Sequence, residues 1–125
     1  MRLLLDTHIV YWSYYEVDRL PAEARRLIHE AEAIFVSSAT IWEIAIKARL
    51  GKIDANPKRV VDRIQKAGFH ELPVLAKHAV IVADLPLHHT DPFDRLLIAQ
   101  AMSEPLHLLT ADTKLKPYSE LVVVV

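Results

Sequence analysis

Four acids stand where this chain changes character. Asp6 ends the apolar run Leu3-Leu4-Leu5, Glu43 interrupts IWEIAI, Asp94 follows Asp91 by three residues in HHTDPFDRLLIAQA, and Asp112 comes just past LLT. Each has an ordinary explanation. Asp91 before Pro92 reads as a helix N-cap, with proline at the first helical position where its missing N–H costs nothing. Asp94 in the first turn favours the helix dipole. Asp6 and Asp112 suit caps or turns, and Glu43 suits an i,i+4 pair with Lys47. Two of these accounts are incomplete. Asp91 already caps, so Asp94 is spare. A carboxylate in a helix as apolar as that around Glu43 invites burial, which is costly unless the charge is paired or bound to metal.

If strand ends and helix starts converge, the four acids form one carboxylate cluster. Such a cluster repels itself and raises some of its own pKa values. A hard divalent cation with oxygen ligands, Mg²⁺ or Mn²⁺, removes the difficulty. The chemistry that needs this arrangement is phosphodiester hydrolysis by a metal-activated water, which requires no serine, cysteine or histidine nucleophile. Two other classes remain open on these residues: a non-catalytic protein-binding module with the acids as caps and ion pairs, and a DNA nuclease or phosphatase using the same acids.

The elements that must position these acids follow from pattern. Arg2 to Asp6 reads as a short buried strand, and Thr7 to Tyr15 as a helix. Pro21 is placed to start a helix with Ala24, Leu27, Ile28 and Ala31 on one face. Ala33 to Val36 is strand-like. Ser37-Ser38 then caps a helix through ATIWEIAIKARL, with Gly51 at its C-terminal end. Asn56-Pro57 begins an amphipathic helix to about Ala67, Phe69 to Leu72 is a strand, and Leu75 to Ala83 a helix. Asp91 opens a helix to about Met102. Leu106 to Leu109 is a strand, TADTKLKPY a turn with a helical fragment, and Leu121 to Val125 a final strand. Strands that are continuous apolar runs alternating with helices predict an α/β fold with a largely parallel sheet. Sites in such sheets form beyond the carboxyl ends of the strands, where Asp6 and Asp112 fall.

The 125 residues, 52% apolar and 25% charged, suit one globular domain. Without cysteine there is no disulfide or thiolate site. The opening apolar run is too short for a signal peptide, and no stretch approaches a membrane span, so the expectation is cytoplasmic. A net charge of −1 argues against coating nucleic acid by bulk charge. The charge is nevertheless uneven. Lys47, Arg49, Lys52, Lys58, Arg59, Arg63 and Lys66 crowd one stretch, and Asp84, Asp91, Asp94, Glu104 and Asp112 another. Arg49, Lys52, Lys58, Arg59 and Arg63 are the candidate contacts for a polyanion, against the plainer reading of a solvated face.

Other residues tempt less. His88 and His89 beside two aspartates suggest zinc, but adjacent residues seldom point at one ion, and no helical His-x-x-x-His pair adds ligands. They read as loop or substrate edge. His8 meets a phosphate, assists a proton transfer or simply packs on Trp12. Trp12, Tyr14, Tyr15 and Trp42 suit core or dimer contacts better than base stacking. Arg95 is undecided between structure and phosphate.

LLLDTHIVYW, IWEIAIKARLGKI, HHTDPFDRLLIAQA and LLTAD, in this order and spacing, resemble the PIN-domain ribonucleases across essentially the whole chain. The likeness is nearest to toxin subunits of VapBC-type toxin–antitoxin pairs. The resemblance implies a PIN-like three-layer α/β/α sandwich around a central, mostly parallel sheet. It implies Asp6, Glu43 and Asp94 as core metal-binding acids, Asp112 as a fourth, more variable one, and Thr110 as a hydroxyl beside the site. It also implies Mg²⁺ or Mn²⁺ as cofactor, RNA as substrate, a cognate antitoxin, a homodimer, and operon-DNA binding only through the antitoxin.

Overall fold

Leu3, Leu4 and Leu5 are all buried although successive strand residues point to opposite faces, so both faces of the first strand are covered. The computed structural model, which describes residues 1–125, shows how. Strand β1 (Arg2–Leu5) leads to α1 (Thr7–Tyr15), a 3₁₀ turn (Val17–Arg19) and α2 (Ala22–Glu30). Then come β2 (Ala33–Ser37), α3 (Ser38–Arg49), α4 (Pro57–Lys66), β3 (His70–Leu72) and α5 (Ala76–Asp84). The last part is α6 (Pro92–Ser103), β4 (His107–Thr110), a 3₁₀ segment (Thr113–Tyr118) and β5 (Val122–Val124).

The five strands form one sheet in the order β3-β2-β1-β4-β5, and every pairing is parallel. On one face Leu3, Leu5, Val36 and Leu109 pack with Ile9 and Val10 of α1, Ala24 of α2, Ile44 of α3 and Ile64 of α4. On the other, Leu4, Leu72 and Leu108 pack with Leu97, Ile98 and Ala101 of α6, together with Leu115 and Tyr118. This is the expected α/β/α sandwich. The chain reverses direction across the sheet at β1, with β2 on one side and β4 on the other, so the switch point lies at the carboxyl end of β1.

Three helices, α3, α4 and α6, begin on side-chain caps. Ser37 Oγ accepts from the Ala39 N–H, and Asn56 Oδ1 accepts from Lys58 and Arg59 ahead of Pro57. Asp91 Oδ1 accepts from the Phe93 and Asp94 N–H groups, confirming it as the cap of α6. Gly51, at φ +72°, turns the chain out of α3 in a conformation that L side chains avoid. Pro21 is one position earlier than a first helical residue: it is the cap residue, with an extended ψ of 144°.

Candidate active site

Asp6 follows β1 and stands at the N-cap position of α1, yet its side chain caps nothing. The carboxylate turns across the sheet edge, where Oδ2 accepts from Thr110 Oγ1 at 2.6 Å. Thr110, fully buried at the end of β4, in turn accepts from the Asp112 N–H at 3.0 Å. One hydroxyl therefore joins the two strand ends that flank the switch point. Asp6 Oδ1 is buried with no partner. Burial, above all, raises the Asp6 pKa against the lowering from the Thr110 hydrogen bond.

Glu43 arrives from α3. The helix is held to the start of α1 by a hydroxyl pair, Thr7 to Thr40 at 3.1 Å, one turn before Glu43. Lys47 Nζ reaches Glu43 Oε2 at 2.7 Å, as the i,i+4 spacing suggested. The pair leaves Oε1 buried and unpartnered, so the pairing accounts for half of the carboxylate. Asp94 projects from the first turn of α6. Its pKa is pushed up to about 8, first by burial and then by the negative fields of Asp6, Asp91, Glu43 and Asp112. Mutual repulsion of this kind requires that the four sequence-predicted acids share one region.

Asp112 is the outlying member. It caps the second 3₁₀ segment through the Lys114 N–H at 2.9 Å, with Lys114 Nζ 3.9 Å from its other oxygen. No three acid or histidine side chains close on one point at the spacing of a bound ion. The donor set nonetheless fits a hard cation. Two buried carboxylate oxygens lack any partner, a third acid is forced toward its neutral form, and every donor is oxygen. Buried unpaired carboxylate is costly, and a divalent cation is the remedy those oxygens share. Reading the acids purely as caps and ion pairs fails at Asp6, which caps nothing.

A cleft of about 370 Å³ opens beside Asp6 and Asp112, lined also by His8, Trp12, Arg19, Ala111 and Lys114. Arg19 lies 5.1 Å over the Trp12 ring and pairs with Glu16 at 3.2 Å. His8 sits 5.7 Å from the same ring, which is the packing role considered for it. Arg49, Lys52, Lys58, Arg59 and Arg63 are exposed, and none of them lines the cleft. Arg63 is engaged elsewhere: it donates to the Tyr14 carbonyl and stacks over Tyr14 and Tyr15. For Trp42 the core half of the expectation fails and the dimer half stays open. Trp42 is 61% exposed and meets Phe93 edge-on at 5.2 Å, so it is no core residue. Its neighbour Glu43 takes the buried face of α3, and the helical turn sends Trp42 outward.

Arg95 is decided as structural. Its buried guanidinium donates to the carbonyls of Val82, Leu85 and Pro86 at the end of α5 and to Tyr118 Oη. His89 is more than a loop edge. Its Nε2 lies 3.3 Å from Asp94 Oδ2 and its Nδ1 2.7 Å from Tyr118 Oη. Arg19 and Tyr118 carried no local signal, because each meets the site only through tertiary packing; Lys114 lies two residues from Asp112, and its nearness is local.

Comparison with known proteins agrees with this fold. The chain is 30% identical over 120 residues to ribonuclease VapC22 of Mycobacterium tuberculosis (strain ATCC 25618 / H37Rv), spanning 93% of this chain and 91% of that one. In fold it is similar to VapBC2 from Rickettsia felis bound to a DNA fragment from its promoter. The TM-score is 0.73 at 19% identity, covering 99% of this chain and 97% of that chain. It is similar also to FitAcB from Neisseria gonorrhoeae, with a TM-score of 0.67 at 19% identity over 98% and 96% of the two chains. The PIN domain model matches residues 3–121, nearly the full length, and this chain belongs to the PIN-domain family.

Proposed function

We propose that this chain is a metal-dependent endoribonuclease acting as the toxin of a toxin–antitoxin pair. The observation that carries the proposal is the pair of buried, unpartnered oxygens, Asp6 Oδ1 and Glu43 Oε1, beside an Asp94 whose proton is held up to about pH 8. Asp6, Glu43 and Asp94 would hold Mg²⁺ or Mn²⁺, with Asp112 at the edge. Such an ion supplies Lewis acidity and a lowered pKa for an attacking water.

The chain's own residues do the rest. Thr110 fixes one oxygen of Asp6, and Lys47 fixes one of Glu43, so each acid presents its other oxygen in a set orientation. Arg19 and Lys114 on the cleft wall offer positive charge to the phosphates of a strand passing Asp6. These two replace Arg49, Lys52, Arg59 and Arg63 as the first substrate contacts in this reading. An antitoxin partner belongs to the same proposal, supported by the likeness to VapBC2 and FitAcB. A second copy of the chain belongs to it on the family resemblance alone.

The test is cleavage of a structured RNA pool by antitoxin-free protein titrated with Mn²⁺ or Mg²⁺. Cutting that chelator and Asp94→Asn both abolish, with the variant still folded, is the expected result. Cutting that survives Asp94→Asn, or that prefers DNA of the same sequence, would overturn it.

A further inference from the structure

Asp94 is tied into a line of hydrogen bonds that ends at a buried cation. Tyr118 Oη has two lone pairs and one proton. It accepts from Arg95 Nη1 at 3.1 Å and from the His89 N–H at 3.1 Å, which uses both lone pairs. Its proton then has two acceptors within reach, His89 Nδ1 at 2.7 Å and the His89 carbonyl at 3.3 Å. The shorter contact takes it. Nδ1 of His89 is thereby an acceptor, and the ring's own proton sits on Nε2, 3.3 Å from Asp94 Oδ2. The reverse, with Nδ1 donating, would set three donors on the Tyr118 oxygen and send its proton to the longer carbonyl contact.

Arg95 itself is locked. Nη2 donates to Val82 and Leu85 and Nη1 to Pro86, all at the C-terminal end of α5, where the helix dipole favours a cation. The guanidinium therefore has no carboxylate partner and needs none.

We infer that Arg95, Tyr118 and His89 form a positioning relay that sets the His89 tautomer and, through Nε2–H, holds Asp94 by Oδ2 so that Oδ1 is left for the metal. This rests on the proposed metal site and deepens it. It also completes a pattern. Thr110 holds Asp6 by one oxygen, Lys47 holds Glu43 by one oxygen, and His89 holds Asp94 by one oxygen. A different type of donor serves each acid, and each acid keeps one oxygen without a protein donor. Histidine bonded to a metal-ligating carboxylate is a second layer of orientation, whose loss typically weakens metal binding about 10–100-fold.

The experiment has two readouts on metal-free protein and one set of variants. Nitrogen-15 NMR of the His89 ring reads the tautomer directly; protonated Nε2 with unprotonated Nδ1 is expected in wild type, and a mixture of tautomers in Tyr118→Phe. Calorimetric titration with Mn²⁺ alone reads the consequence. Tyr118→Phe keeps the ring and its packing, and is expected to weaken Mn²⁺ binding about tenfold or more. His89→Ala is expected to weaken it similarly. His89→Gln, whose amide can still donate to Asp94, recovers part of the loss. The double variant Tyr118→Phe/His89→Ala should be no worse than His89→Ala, because Tyr118 acts through the ring. A proton on Nδ1, wild-type affinity in Tyr118→Phe, or additive losses would each overturn the relay. Wild-type protein that binds no Mn²⁺ removes the metal-site reading instead, and the relay's purpose with it.

Discussion

Asp94 keeps its proton in the folded protein up to about pH 8, against an ordinary value of 3.8. The unfolded chain releases that proton near pH 4, so between these values the folded state binds more protons, and rising pH favours unfolding. Metal-free protein is therefore expected to lose thermal stability steadily from about pH 4 to pH 8. Asp94→Asn should flatten part of that loss, leaving the variant more stable than wild type at pH 8 and close to it at pH 4. Melting curves in chelator across this range decide the matter; parallel curves for the two proteins would contradict it. Mn²⁺ should reverse the effect in wild type, because ligation favours the deprotonated acid. Thr110 gives a second residue-scale outcome. Thr110→Val removes the hydroxyl from Asp6 Oδ2 and from the Asp112 N–H. Leaving buried polar groups unsatisfied costs about 1–3 kcal/mol, measurable by urea unfolding, and Thr110→Ser should restore most of it.

At the scale of elements, the start of α6 does two things with one side chain. Asp91 caps the helix, and its charge also helps to raise Asp94. The two effects separate by substitution. Asp91→Ala loses the cap, at about 1 kcal/mol of stability. Asp91→Asn keeps an acceptor at the cap and removes the charge, so Asp94 should ionise at a lower pH, as a carboxyl NMR titration of metal-free protein would show. The caps were legible in the sequence because capping is local: Asp91-Pro92, Asn56-Pro57 and Ser37 each announce a helix within three residues. Strand limits were less so. Leu106 reads as strand, but its N–H closes α6 on the Ala101 carbonyl at 2.8 Å, and the ladder begins at His107. The four acids stood out by type and place. Of what ties them, Lys47 was legible from its i,i+4 spacing and Thr110 only through the family resemblance. Tyr118 was not legible, because it reaches His89 only after the sheet has formed. Nothing periodic marks a hydroxyl that will face another strand.

For the whole molecule, the basic stretch in the sequence and the cleft in the structure are different places. Net charge gives no help at −1, so attraction of a polyanion depends on where the cations stand. Arg19 is 63% exposed, held by Trp12 and Glu16 on the wall of the cleft. With cleavage-blocked Asp94→Asn protein and single-stranded RNA, Arg19→Ala should weaken binding and lower the salt dependence of the affinity by about one phosphate contact. Arg49→Ala, changed in the same background, should leave that slope as it was. Fluorescence anisotropy at several salt concentrations distinguishes them. Equal slopes for the two variants would return the substrate path to the α3–α4 side.

The pairing of β1 with β4 also has a consequence in time. Thr110 follows Asp6 by 104 residues. At ribosomal rates of about 5–20 residues per second, roughly 5–20 s separate the synthesis of the two. Throughout that interval the nascent chain has its first acid but neither the hydroxyl that orients it nor the strand that covers one flank of β1. Every product of premature termination before residue 110 carries Asp6 without the hydroxyl that holds it, so no such fragment presents this carboxylate as the folded chain does.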